Sequence, residues 1–313
     1  MALRFLDGPP RAHIDALGAS LLIGFSALLG LNQALVKLVN AGMAPIFQSG
    51  TRSALAFLVL LIWTWATRAR LDFRNGSIPW GIAAGMLFAL EFAMLFVALD
   101  YTTVARASLF FYTMPLFTAL GAHALIAGER LTPLRLLGLG VAIAGVAVAL
   151  ADDTSAPSAQ SWIGDALAIL GAIAWSAITL MMRTTPLARC SSEQIMLYQL
   201  GVSALLLLAA APIAGHGVRI LTPTLVAIFL FQVVAIVSLG YLLWARILAV
   251  YPVGNMASFG LLAPVFGVLA GWVVFDDPLT PAFFVALSLV GAGLVLINLR
   301  PKRRAATGDE SRA

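Results

Sequence analysis

The chain has 313 residues, 61% of them hydrophobic and only 11% charged, with a mean hydropathy of +0.97. That balance excludes a soluble domain and points to repeated apolar stretches of about 20 residues lying in a bilayer. The formal charge of +5 comes from basic residues in short loops and at the C-terminus, a pattern that orients membrane helices rather than one that grips nucleic acid. The single cysteine, Cys190, excludes an internal disulfide and a cysteine-based metal site.

The N-terminal residues mix Arg4, Asp7, Arg11, His13 and Asp15 before the first apolar run, which is too long for a signal-peptide core and reads as a retained helix. Apolar runs then follow near 16–36, 45–66, 80–99, 104–126, 133–151, 161–182, 192–213, 223–247, 253–275 and 281–299, so ten membrane helices are expected. An even number of spans puts both termini on one side. With the N-terminus inside, the inner segments hold fifteen basic residues, from Arg4, Arg11 and Arg68 through Arg183 and Arg189 to Lys302, Arg303 and Arg304. Only Lys37, Arg106 and Arg219 remain outside. That asymmetry predicts cytoplasmic termini in a bacterial-type inner membrane.

Two segments of the chain match one another. Ser108–Phe117 carries Pro115 and is followed by Glu129-Arg-Leu-Thr-Pro133; Ala257–Phe266 carries Pro264 and is followed by Asp277-Pro-Leu-Thr-Pro281. The central prolines lie 149 residues apart and the later ones 148. Asp15-Ala-Leu17 matches Asp165-Ala-Leu167, Lys37 matches Arg183, and Gly145 matches Gly293, all at similar offsets. The chain therefore reads as two repeats, 14–151 and 161–299, joined through Thr154–Ser161 and followed by a basic cytoplasmic tail, 300–313. Five spans per repeat is an odd number, so the second copy enters from the opposite side and the repeats are inverted.

Pro115 and Pro264 each lack the amide that would close a helical hydrogen bond, and each ring crowds the carbonyl one turn earlier. The bland reading is a packing kink. Matching prolines in inverted halves point instead to a hinge beside a substrate path. Glu91 is the most conspicuous carboxylate in a span. It sits roughly 12 Å below the outer end of helix three, and Arg52 roughly 10 Å below the outer start of helix two, at 1.5 Å per residue. Charges at such depth pair or face a cavity. For Glu91 a structural ion pair with Arg52, a place in a substrate cavity and a proton-coupling role stand side by side.

Aromatic residues gather near the prolines. Most are expected to face lipid or core, whereas Phe111, Tyr112, Trp175 and Phe259 are candidates for a cavity wall. Ser108, Gln232, Asn255 and Ser258 are candidates for the few polar contacts that orient a ligand, against the alternative of hydrogen bonds between helices. Gly81-x-x-x-Gly85 and Gly267-x-x-x-Gly271 permit close helix contact. Asp152-Asp153 and Asp276-Asp277 read as polar helix ends. No Gly-x-Ser-x-Gly elbow, His-Glu-x-x-His or P-loop appears in the sequence, which argues against an intramembrane enzyme, and no metal or other cofactor is expected.

The set formed by Lys37, Arg52, Ala98-Leu-Asp-Tyr-Thr-Thr-Val-Ala105, Pro115, Gly128-Glu-Arg-Leu-Thr132 and Gly145, with Pro264, Asp277-Pro-Leu-Thr280 and Gly293 in the second half, resembles the drug/metabolite transporter superfamily with its EamA-type repeats. The layout is similar to that of bacterial aromatic amino-acid exporters of the YddG type. Asp277-Pro278 departs from the first half's Glu129-Arg130. The resemblance implies an all-α integral membrane protein that exports small organic metabolites, with amino acids, aromatic ones above all, as the leading substrates. Purines, cations and other drugs by proton antiport are the alternatives. The implied partners are a small-molecule substrate and the lipid bilayer, and a monomer suffices.

Overall fold

The computed structural model describes residues 15–69, 71–127, 131–152, 156, 158–215, 217–240, 243, 247 and 262–298. Eleven α-helices are described: α1 (Ala16–Asn40), α2 (Pro45–Ala66), α3 (Ile78–Tyr101), α4 (Val104–Phe111), α5 (Met114–Leu125), α6 (Pro133–Ala151), α7 (Ser161–Thr184), α8 (Ser192–Ala210), α9 (Pro223–Phe231), α10 (Leu262–Phe275) and α11 (Pro281–Asn298). A π-helical stretch, Gln232–Gly240, continues directly from α9. Among the described residues the one trace of β pairing is an isolated bridge between Met43 and Val218. Among the described residues eight helical stretches are long and apolar enough to cross a membrane, counting Val104–Leu125 and Pro223–Gly240 as single spans, and α10 and α11 are shorter apolar helices. The chain is thus an all-helical, multi-pass membrane protein.

The helix starts explain the repeated Leu-Thr-Pro. At Thr132, Thr222 and Thr280 the hydroxyl accepts a hydrogen bond from the amide three residues on, at 3.3, 3.2 and 3.0 Å, while the following proline occupies the first turn. Threonine satisfies one orphan amide, and proline contributes a preset φ where no intrahelical donor is needed. At its other end α10 stops at Asp276, whose φ of 51° is left-handed and whose N–H returns to Trp272 O at 3.1 Å.

Packing between the two halves is reciprocal. Helices α6 and α11 run antiparallel, with Gly138 against Gly293 and Leu296, and Gly145 against Ala286 and Val290. Helices α2 and α8 are also antiparallel, with Gly50 against Leu207 and Gly201 against Phe57. By contrast α1 lies parallel to α10 (Gly30 on Ala263 and Gly267, Lys37 over Phe275), and α7 lies parallel to α5 (Ser176 on Met114, Leu180 on Gly121). Such reciprocal contacts arise when two five-helix copies face each other in opposite orientation.

The glycines are required at these crossings because backbone meets backbone. A Cβ on Gly145 would stand 2.8 Å from both Ala286 O and Val290 N. Gly145→Val is therefore expected to lower thermal stability in detergent by about 1–3 kcal/mol, the usual cost of overpacking; an unchanged melting temperature would contradict the tight crossing.

Candidate functional site

The fourth span is broken rather than merely kinked. Helix α4 ends at Phe111, Tyr112 and Thr113 form a turn, and α5 restarts at Met114 with Pro115 in its first turn. Around the break the hydrogen bonds shorten to three-residue closures, Thr113 N–H to Phe110 O at 3.2 Å and Leu116 N–H to Thr113 O at 2.9 Å. The Thr113 hydroxyl also donates to Phe110 O at 2.6 Å. From α7, the Ser176 hydroxyl lies 2.7 Å from Met114 O and 2.8 Å from Ala172 O of its own helix, so its one proton is shared between the restart of α5 and α7. Pro264 is buried in the first turn of the described part of α10.

Three of the aromatic candidates meet at this break. Phe111 sits edge-on to Tyr112 with ring centroids 5.6 Å apart, and edge-on to Trp175 of α7 at 6.4 Å. Leu95 of α3, Ala172 of α7 and Ala263 of α10 complete the cluster, with Leu29 of α1, Met114 and Phe117 packed around it. The cluster draws on both halves. Gly171 of α7 faces Glu91 O and the Phe111 ring at ordinary contact distance, which places α3, α4 and α7 together here.

A polar layer adjoins it. Glu91 is only 1% exposed and Arg52 only 2%, and the charge of Arg52 acts on the Glu91 carboxyl. The Arg52 guanidinium lies 4.3 and 4.5 Å from the ring centroids of Phe92 and Phe96, a cation–π setting that positions the charge. Gln232 begins the π-helix and is fully buried. Gln33 of α1, which sequence reasoning missed, is buried as well. Its signal was present: it lies seven residues before the end of helix one, the same depth as Arg52 from the start of helix two. Ser108 is buried at the crossing of α4 and α10, against Gly267. Asn255, Ser258 and Phe259 lie outside the described residues, as do Glu129, Tyr241 and Trp244.

Sequence reasoning also missed a second constellation, at the end of the bundle where α1 and α3 finish. Arg106, read as an outer charge, is buried on α4. Its Nη2 meets Asp165 Oδ2 of α7 at 2.5 Å and its Nε lies 3.3 Å from both carboxylate oxygens. Nη1 donates to Asp152 O at 2.9 Å, and the Thr102 hydroxyl donates to Asp165 Oδ1 at 2.8 Å. The Thr280 hydroxyl bonds the Asp152 carboxylate, and Asp277 Oδ2 accepts from Ala105 N–H at 2.9 Å. Lys37 Nζ donates to Thr102 O at 2.7 Å. Asp152 and Asp277 are therefore more than polar helix ends: they tie the end of the first half and the α10–α11 connection to α4.

Burial pushes the Asp277 carboxyl above its ordinary pKa, against the opposing pull of the Ala105 amide and the Lys37 charge. A raised carboxyl pKa favours the folded state in acid, and that contribution is lost as pH rises through the folded value. Asp277→Asn, which keeps an acceptor for Ala105, is expected to gain in melting temperature relative to the unsubstituted protein as pH climbs from about 4 toward 7. A pH-independent difference would count against the burial penalty.

Known proteins align with this architecture. A solved crystal structure shares the fold, with a TM-score of 0.66 over 93% of this chain and 99% of the other, at 21% identity. The "Uncharacterized transporter YvbV" of Bacillus subtilis (strain 168) is 24% identical, covering 94% of this chain and 96% of its own length. The "Probable amino-acid metabolite efflux pump" of Escherichia coli (strain K12) is 28% identical over 85% of this chain and 90% of that protein. The "Probable terminal-alkyne amino-acid exporter" of Streptantibioticus cattleyicolor is 27% identical over 64% and 66%, respectively. The EamA-like transporter family model matches twice, over residues 16–151 and 162–299. With two family repeats spanning nearly all of its length, packed reciprocally around a broken helix, this chain belongs to the EamA-like transporter family.

Proposed function

We propose that the protein exports amino acids, aromatic ones preferentially, across a bacterial-type inner membrane by alternating access. The Asp165 end faces outward and both termini lie in the cytoplasm, as the distribution of basic residues favours. The observation that carries the reading is the break at Tyr112–Thr113, walled by Phe111, Tyr112 and Trp175 and drawn from both halves. An interrupted helix at the meeting of two inverted repeats is where transporters of this construction hold substrate, and edge-on aromatic rings there accept another ring. The amino-acid exporters among the relatives support the class of substrate. One copy of the chain contains the whole path, and the two halves rock about Pro115 and Pro264.

The test is counterflow in liposomes containing the purified protein, with a panel of labelled amino acids, nucleosides and organic cations, with and without a pH gradient. Phenylalanine and tryptophan are expected to accumulate against their unlabelled forms faster than alanine. Uptake of nucleosides or cations with no amino-acid flux would sink the reading.

A further inference from the structure

Buried polar side-chain atoms in native proteins almost always find a hydrogen-bond partner, so a group of them without one calls for an explanation. Most such atoms among the described residues fall on four neighbouring elements: Gln33 Oε1 on α1, Ser49 and Ser53 Oγ on α2, Glu91 Oε2 on α3, and both amide atoms of Gln232 at the start of the π-helix. Gln33, Glu91 and Gln232 are 2%, 1% and 0% exposed. Their sequence neighbours Ala34, Ala56, Phe88, Phe92 and Val233 belong to one contiguous core cluster, so the four elements meet at this level. Measured along the helices at 1.5 Å per residue, Gln33, Arg52, Glu91 and Gln232 all lie roughly 10–15 Å from the same end of the bundle. A local switch from α to π geometry is itself frequent at functional sites. The orphan status of Gln232 does not depend on which amide atom is oxygen, because both lack a partner.

We infer that Glu91, Gln33, Gln232 and Arg52 form a head-group subsite for a zwitterionic α-amino acid. The ammonium is held by Glu91 Oε2 and Gln33 Oε1, and the carboxylate by Arg52 and the Gln232 amide. This deepens the amino-acid reading above and rests on it.

The chemistry of the set is two-sided. Carboxylate is an acceptor only, guanidinium a donor only, and Gln232 offers both. A simple cation leaves the Gln232 amide donor unmatched, and a simple anion meets Glu91. Arg52 and Glu91 carry opposite charges, so a ligand neutral overall enters without bringing uncompensated charge to membrane depth. The subsite also lies at the right distance from the aromatic wall. Leu95, one turn from Glu91 toward that end of the bundle, and Leu29, one turn from Gln33 away from it, both pack in the Phe111–Tyr112–Trp175 cluster. The rings therefore flank the subsite at its own level, within about 5.4 Å along the helix axes, and an amino acid seated by its head group lays its side chain on them.

The experiment is competition against labelled phenylalanine in counterflow, using unlabelled phenylalanine, phenethylamine (no carboxylate) and 3-phenylpropionate (no ammonium). The unsubstituted protein is expected to favour phenylalanine over each analogue by about tenfold or more, the value of one hydrogen bond to a charged group. Glu91→Gln is expected to narrow the gap to 3-phenylpropionate while leaving the gap to phenethylamine. Gln232→Met is expected to narrow the gap to phenethylamine. These ratios are read within one preparation and do not depend on how much of a variant folds. If phenylalanine is carried but both analogues compete equally well, or if Glu91→Gln moves neither ratio, the subsite is wrong and amino-acid export stands. If no amino acid is carried at all, export and subsite fail together.

Discussion

Replacing Asp165 by alanine is expected to lower the unfolding free energy by about 3–5 kcal/mol, because it leaves the Arg106 guanidinium buried without its carboxylate. The side chains are 3% and 0% exposed, so water cannot take over the lost contacts. Arg106→Ala should cost a similar amount, since it strands the carboxylate and the Thr102 hydroxyl bonded to it. Replacing both residues, Arg106→Met with Asp165→Leu, is expected to recover much of the loss, as apolar substitution of a whole buried pair usually does. Chemical unfolding in detergent measures all three. Single variants within about 1 kcal/mol of the parent would show the pair to be no more than a surface-type bridge. Transport adds a second readout. The cluster joins α3, α4, α6, α7 and the α10–α11 connection at one end, so the alternating-access cycle proposed above requires it to loosen when that end opens. The double apolar variant is then expected to fold but to exchange substrate at a changed rate.

The architecture was legible because it follows from features that need no partner. Runs of apolar residues long enough to span a bilayer, Leu-Thr-Pro at helix starts and the common offset between Pro115 and Pro264 are all local or periodic. An odd count of spans per repeat then forced the inversion, and the antiparallel pairing of α6 with α11 and of α2 with α8 agrees with it. The Gly81 and Gly267 spacings were equally readable: Gly81 and Gly85 receive Tyr198 and Val202, while Gly267 and Gly271 receive Ser108 and Val104.

Long-range polar pairing was not legible. Arg106 and Asp165 are 59 residues apart, and a basic residue at the start of a span looks the same whether it faces water or a buried carboxylate. The π-helix leaves no mark in composition either. It shows itself through geometry, such as the Ser238 hydroxyl donating five residues back to Val233 O at 2.8 Å. Depth along the helices brings Arg52 and Glu91 to one level, and Gln33, an uncharged residue with no charge to single it out, lies at that level too.

Substituting alanine for Pro115 is expected to slow counterflow while leaving the fold as stable as before or more so. The alanine amide supplies the donor that proline lacks, and loss of the ring removes its clash with the carbonyl of Phe111. Helix four can then propagate through Tyr112 and Thr113, replacing the short closures at Thr113 and Leu116 with regular helical ones. The gain in stability is bounded by about 3 kcal/mol, the cost of proline within a helix. A continuous helix would also carry Phe111 and Tyr112 out of their present register against Trp175 and stiffen the joint proposed as the hinge. The double variant Pro115→Ala with Pro264→Ala tests the reciprocal hinge in the other half and should slow exchange further than either change alone. Melting temperature and counterflow measured on the same preparations separate the two effects. A double variant that melts no lower than its parent yet transports at the parental rate would show that the prolines shape packing and do not act as hinges.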